Sequence, residues 1–232
     1  MNILQVVVNG GDTLQAAGDA APTEEKMSFL SLAMEGGLAM IPLVILSIIG
    51  VYLLIERYTT IRKASKIDAN FMNSIRDLVS NGNIQGAKSL CERTDSPIAR
   101  ILLKGISRIG KPLKNIEVSI ENVGKLEVYK LEKGLPTLAT ISGAAPMIGF
   151  LGTVLGMIKA FYKLANAGGN VDISLLSGGI YEAMVTTVAG LVVGIFAYIS
   201  YNSLTAMIDK VINKMEASSV EFIDLLQEPA GK

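Results

Sequence analysis

Apolar residues dominate three stretches of the chain, and polar residues separate these stretches. The first contains GLAMIPLVILSIIGVYLLI and carries no charge over 36–55. The second is uncharged over 135–158, and the third over 183–208. A helix of about 20 apolar residues crosses a bilayer, so each stretch predicts one transmembrane helix. Internal Pro and Gly residues do not argue against this, since neighbouring membrane helices re-satisfy the freed backbone groups.

These patterns divide the chain into segments and predict an all-α integral membrane protein whose three membrane helices continue into a helical bundle. The segments are a tail over 1–35, transmembrane helices over 36–56, 135–162 and 173–205, a polar insert over 57–134, a short link over 163–172, and a C-terminal helix and tail over 206–232.

The polar insert has the 3.6-residue periodicity of amphipathic helices. Three helical patterns, over 67–93, 96–110 and 112–134, are interrupted by the turn-forming sequences SNGN, TDSP and GKP. Ser96 followed by Pro97 predicts an N-cap and a first helical residue. We therefore predict that the insert is a helical bundle.

Basic residues predict the orientation of the chain in the membrane. The connection over 57–133 holds 15 of the 21 Lys and Arg residues, whereas only Lys159 and Lys163 lie between the second and third uncharged stretches, and only Lys26 lies in the tail. Cytoplasmic loops carry the excess of Lys and Arg. The insert and the C-terminus are therefore predicted to be cytoplasmic, and the N-terminal tail and the link extracytoplasmic.

Composition excludes several classes of function. Half of the 232 residues are hydrophobic, 18% are charged, and basic and acidic residues balance at 21 each, so nothing indicates nucleic-acid binding. The chain has no histidine, and Cys91 is its only cysteine, which excludes an intrachain disulfide and a multi-thiolate metal site. We predict no enzyme activity, no cofactor and no metal, and a buried structural role for Cys91.

The N-terminal tail has a short apolar run with no basic residue before it, which does not resemble a cleaved signal peptide. Met27, Leu30 and Met34 fall on one helical face. This pattern indicates a short amphipathic helix on the outer membrane interface, and a mobile tail is the alternative.

The second and third apolar stretches form a predicted hairpin with its apex at NAGGN, residues 166–170. Thr153 and Thr187 each lie 17 residues from Asn170, so the two hydroxyls are predicted at the same depth on neighbouring helices. On a helical wheel, each threonine lies on a stripe of small residues. The packing candidates in and beside these stripes are Pro146, Gly149, Gly152, Gly156, Gly190 and Gly194.

Two interpretations of these stripes remain open. Small residues four apart, as in Gly152 and Gly156 or Gly190 and Gly194, allow membrane helices to approach closely, and a threonine there bonds to its own helix. Alternatively, the stripes line a polar path through an assembly.

Glu182 lies about nine residues into the third stretch if the helix starts at Ile173, and at the outer interface if it starts near Gly179. A carboxylate within the apolar zone must face water, a partner or a cavity. Thr186 lies on the Glu182 side of the wheel, whereas Thr187 is about 140° away.

The hairpin sequences APMIGFLGTVLGMIKAF and GIYEAMVTTVAGLVVGIFAYISYN resemble the signature of the MotA/TolQ/ExbB proton channel family. The resemblance covers most of residues 30–226 and is nearest to the ExbB and TolQ branches. By motif position it implies that Thr153 and Thr187 are the pore threonines and that Glu182 is the glutamate of the third helix. Thr186 replaces the usual alanine, which leaves open which of the two adjacent hydroxyls faces the pore.

The resemblance also implies partners and a location. These are a homo-pentamer in the bacterial inner membrane around a dimer of a single-span ExbD-like protein, whose membrane-embedded aspartate carries protons. That complex would use the proton motive force to drive a TonB-like protein. The alternatives are a TolQ-type role in envelope maintenance, a MotA-type stator, which normally has a fourth span, and a passive membrane scaffold.

Overall fold

The computed structural model describes residues 36–68, 70–166 and 173–227. The predicted amphipathic helix of the tail and most of the NAGGN apex lie outside these residues. The helices are α1 (Met40–Ala64), α2 (Phe71–Ser80), α3 (Ile84–Arg93), α4 (Pro97–Ile106), α5 (Leu113–Glu132), α6 (Leu135–Ala165) and α7 (Ile173–Gln227).

Within the described residues, three helical segments are long and apolar enough to cross a membrane, as the sequence predicted. They are α1, the continuous α5–α6 segment, whose uncharged part lies in α6, and α7. Met40 and Leu43 of α1, Ile141 and Ala145 of α6, and Ala197 of α7 form the buried cluster where the three meet. In the uncharged stretches of these helices, most other large apolar side chains are exposed in the single chain, which is typical of helices that contact lipid or other membrane helices.

The helix ends differ from the predicted segment boundaries. α1 continues eight residues beyond 56, and α6 continues to Ala165. α7 is one helix of 55 residues rather than a membrane helix over 173–205 followed by a separate C-terminal helix. The apolar stretch sets the length that fits in a membrane, but no breaker follows it, so the helix continues into polar sequence.

Gly134 lies between α5 and α6, and its lack of a side chain allows the connection between them to pack closely against α1. Its φ of +85° lies in the left-handed region that favours glycine. A Cβ at this position would lie 3.3 Å from Leu53 Cδ2 and 3.7 Å from Arg57 Cδ. The two helices therefore join with a two-residue connection beside α1.

The insert folds as a helical bundle against the C-terminal half of α7. Its predicted breakers fall between the observed helices, and the Ser96 hydroxyl accepts a hydrogen bond from Ala99 N at 3.1 Å, as predicted for an N-cap. Phe222 of α7 is fully buried over Gly105 of α4. Cys91 is buried in the same core, and burial raises the pKa of its thiol to about 12, so the thiolate needed for reaction is scarce.

A carboxylate is buried where α4 and α5 meet. Glu127 accepts hydrogen bonds from Arg100 Nη2 and from Lys130 Nζ, both at 2.7 Å. Burial raises the pKa of Glu127, but these two cations outweigh it, so its pKa lies below the usual range. The ionised carboxylate therefore contributes to the stability of the insert.

Glu127→Gln is expected to reduce the free energy of unfolding of the insert by about 1–3 kcal/mol at pH 7, because charged hydrogen bonds are lost from a buried site. Since folding lowers the pKa of Glu127, its contribution is complete above the unfolded-state pKa of about 4.3 and is lost as the pH falls through the folded-state value. Urea unfolding followed by circular dichroism from pH 7 to pH 3 should show the two proteins converging in acid. Glu121→Gln, which removes an exposed pair with Lys125, is the matched control and should change little.

Candidate functional site

Glycines bring α6 and α7 into backbone contact near the middle of the hairpin. A Cβ added at Gly190 would lie 2.6 Å from the Ala145 carbonyl oxygen and 2.8 Å from Gly149 Cα. A Cβ added at Gly149 would lie 3.1 Å from Gly190 Cα. Because the obstructing atoms belong to backbone, they cannot rotate away as a side chain would.

Small residues continue this contact towards both ends of the hairpin. A Cβ at Gly156 would lie 2.9 Å from Ala183 Cβ, and one at Gly194 would lie 2.7 Å from Pro146 Cδ. α6 runs through Pro146 without a break. The small stripes thus hold the two helices close enough for short side chains to bond across the interface.

Thr153 and Thr187 meet across that interface. Their hydroxyl oxygens are 3.0 Å apart, at the same depth on the two helices. The Gly149 carbonyl lies 3.1 Å from Thr187 Oγ1, and the Phe150 carbonyl lies 2.6 Å from Thr153 Oγ1. Each hydroxyl has a single proton, so it donates either to its carbonyl or to the other threonine. Both side chains are half-buried, so the hydroxyl pair lies at an edge of the interface rather than in its centre.

A shallow apolar groove of about 470 Å³ lies beside this hydroxyl pair. Thr153 lines it together with Val154, Met157, Ile158 and Phe161, all from α6. In the single chain, Val154, Ile158 and Phe161 are exposed. The Thr153 side chain therefore borders an apolar surface that another helix could contact, while its hydroxyl faces Thr187.

Thr186 lies on the opposite flank of the hairpin, where the chain enters α1. It is buried, and its hydroxyl bonds to the Gly36 carbonyl at 3.0 Å and the Glu182 carbonyl at 2.8 Å. A Cβ at Gly152 would overlap the Thr186 methyl group and lie 3.2 Å from Ala39 Cβ. Gly152 therefore packs towards the start of α1.

Glu182 lies one turn before Thr186, on the same flank. Both carboxylate oxygens are 3.4 Å from Lys159 Nζ, and a Cβ at Gly37 would overlap Oε1. The side chain of Glu182 is 27% exposed and that of Lys159 is 58% exposed. Glu182 is therefore partly shielded in a junction of α6, α7 and the residues before α1.

The structure divides the predicted polar residues into two groups. Thr153 and Thr187 pair on one flank. Glu182 and Thr186 lie on the other flank, beside residues 36–39, which we call the lead into α1. Lys159 joins the second group, and the sequence interpretation did not assign it a role. The same count from Asn170 could have found it, because Lys159 is 11 residues from the apex and Glu182 is 12.

These features define a class of membrane protein with three apolar spans, a helical insert after the first, and a hydroxyl-bearing small-residue hairpin. The profile of the MotA/TolQ/ExbB proton channel family matches residues 93–217, which is more than half of the chain. The chain belongs to this family. The prediction of the family from the hairpin motif is thus confirmed.

Individual relatives represent two branches of the family. A biopolymer transport protein ExbB homolog of Methanothermobacter thermautotrophicus is 28% identical over 81% of this chain, a match that covers 66% of that protein. Biopolymer transport protein exbB1 of Vibrio cholerae is 27% identical over 87% of this chain and 89% of its own length. The Tol-Pal system protein TolQ of Pseudomonas aeruginosa is 35% identical over 43% of each chain.

Proposed function

We propose that this chain is the channel-forming subunit of an inner-membrane motor that uses the proton motive force to energise transport across the outer membrane. In this complex several copies, most simply five, surround a dimer of a single-span ExbD-like protein, and a TonB-like protein receives the motion. The N-terminus is extracytoplasmic and the insert cytoplasmic, as the distribution of basic residues favours.

The observation that carries the proposal is the Thr153–Thr187 hydroxyl pair on the flank of the hairpin that the lead into α1 does not cover. On that flank Thr153 lines an apolar groove of α6 to which a partner helix can bind. No Asp or Glu lies within 36–55, 135–165 or 183–208. A mid-membrane proton carrier must therefore come from a partner, and its carboxyl group would meet the hydroxyls.

The hydrogen bonds of the pair suggest how the hydroxyls respond to the carrier. Each hydroxyl has one proton, which it donates to a backbone carbonyl or to the other threonine, and an oxygen lone pair remains free to accept a bond from a protonated carboxyl group. When that group ionises, it can only accept, so a threonine must turn its proton from the carbonyl to the carboxylate. The pair can thus bond to both protonation states of the carrier.

The test is the double variant Thr153→Val with Thr187→Val, which keeps the side-chain shape and removes both hydroxyls. The complex should still assemble, and proton flux into liposomes containing the chain and its ExbD-like partner should fall roughly 10- to 100-fold, as expected when a hydrogen bond to a charged group is lost. The matched control is Thr140→Val with Thr205→Val, because each of these hydroxyls bonds to a carbonyl of its own helix. Unchanged flux in the first double variant, with the complex intact, would refute the role of the pair.

A TolQ-type role in envelope maintenance is the second candidate, because the TolQ proteins of Haemophilus influenzae and Pseudomonas aeruginosa are 36% and 35% identical to this chain over 42% and 43% of its length. Genetic replacement discriminates between the two. The ExbB-type function requires this gene to restore TonB-dependent uptake in a strain lacking its own ExbB, together with the cognate partner. Restoration of envelope integrity in a strain lacking TolQ, without restored uptake, would favour the TolQ-type role. A passive scaffold would restore neither and would show no flux.

A further inference from the structure

We propose that Lys159 is a positioning residue whose ion pair with Glu182 ties together the apical ends of α6 and α7, the ends near residues 166 and 173. The ammonium nitrogen is 3.4 Å from both carboxylate oxygens, so it faces the carboxylate symmetrically. We name this ion pair the apical latch.

The apical latch joins three segments of the chain. Glu182 packs on Gly37, whose φ of +65° and lack of a side chain leave room for the carboxylate. One turn further, Thr186 bonds to the Gly36 carbonyl. The latch therefore also holds the lead into α1 against the hairpin.

Electrostatics gives the latch its importance at this position. α6 has no charge over 135–158 and α7 none over 183–208, so Lys159 and Glu182 are the first charges beyond the apolar part of each helix, and they face each other. A charge at the edge of an apolar zone is costly unless it finds water or a partner. Separation of the pair would leave each charge without its counter-charge at the edge of the apolar zone. The ion pair therefore favours the closed arrangement of the apical ends.

The latch lies close to the hydroxyl pair along the helices. Thr153 is six residues from Lys159, and Thr187 is five residues from Glu182, which corresponds to about 9 Å and 7.5 Å of helix rise. A wider separation of the apical ends would therefore also separate the hydroxyls. This consequence for proton flux rests on the proposed function, whereas the latch itself does not.

A distance measurement tests the latch without reference to flux. Spin labels at Tyr162→Cys and Ser177→Cys, in a Cys91→Ala background, report the separation of the apical ends in the full chain reconstituted in nanodiscs and diluted with unlabelled copies. Lys159→Met and Glu182→Gln should each make the distance distribution roughly twofold wider. Lys159→Arg, and the exchange Lys159→Glu with Glu182→Lys, should restore the narrow distribution, which a role in packing alone would not do.

The outcomes separate the two proposals. An unchanged distribution in Lys159→Met, or an exchange variant as wide as the single variants, overturns the latch. If the single variants do not accumulate, the exchange variant is the deciding measurement. Accumulation of the exchange variant with a narrow distance distribution supports the latch, and failure of the exchange variant to accumulate overturns it. A wide distribution in Lys159→Met with normal proton flux overturns the link to flux. If the wild-type chain shows no proton flux but a narrow distance distribution, the proposed function is refuted and the latch is supported.

Discussion

Gly190→Ala is expected to destabilise the hairpin strongly, although alanine is the better helix former. The added methyl carbon would lie 2.6 Å from the Ala145 carbonyl oxygen and 2.8 Å from Gly149 Cα, so α6 and α7 must move apart. Overpacking of this kind typically costs about 1–3 kcal/mol, and here the obstructing atoms are backbone. We expect a lower yield and a lower thermal unfolding temperature in detergent.

Gly143→Ala and Gly178→Ala are matched controls in the same two helices, because a Cβ at either position meets no atom within 4 Å. Each gains up to about 1 kcal/mol of helix propensity. The stability of these two variants should be unchanged or higher. The sign of the change in stability therefore distinguishes a steric clash between the helices from the higher helix propensity of alanine. If Gly190→Ala is as stable as these controls, the result would contradict the close contact of α6 and α7 at Gly190.

Phe222→Ala is expected to open the insert. The ring is fully buried over Gly105, where it joins the C-terminal half of α7 to α4. Removing a buried Phe ring costs about 3–5 kcal/mol. Since α7 is one helix from the membrane part to Gln227, the loss would detach the bundle from the extension of the third span.

Cys91 provides the measurement for Phe222→Ala. It is the only cysteine and is buried in the same core, so a maleimide reagent reacts with it only when the insert opens. If opening is fast relative to labelling, a loss of about 3 kcal/mol raises the labelling rate roughly 100-fold. Val220→Ala, at a side chain that is 61% exposed on the same helix, is the control. Equal labelling rates in the two variants would contradict the assigned core.

The threonine pair shows what a sequence count can predict in a hairpin. Both helices rise by the same amount per residue, so equal separations from the apex predicted that Thr153 and Thr187 lie at the same depth. In the structure their hydroxyl oxygens are 3.0 Å apart. The same count places Lys159 and Glu182 at nearly equal separations from Asn170. The Lys159–Glu182 ion pair was therefore also predictable from the sequence, although Lys159 was not among the predicted site residues.

The choice between Thr186 and Thr187 shows where such reasoning ends. A helical wheel separates the two side chains by 100° but does not say which neighbour lies on each side. Only the packed structure shows the lead into α1 over Thr186, with Gly36 accepting its hydroxyl, and Thr187 directed to α6. The proposal therefore gives the pore role to Thr187.

The sequence by itself determined the three apolar spans, the helical insert with its breaks, and the family, because these depend on local hydrophobicity, periodicity and motif spacing. The tertiary structure decided which flank α1 covers, where the Lys159–Glu182 pair forms, and that α7 continues to Gln227 over the insert core. These features depend on contacts between residues far apart in the chain. Local patterns cannot specify them, since one helix presents several faces and only packing selects among them.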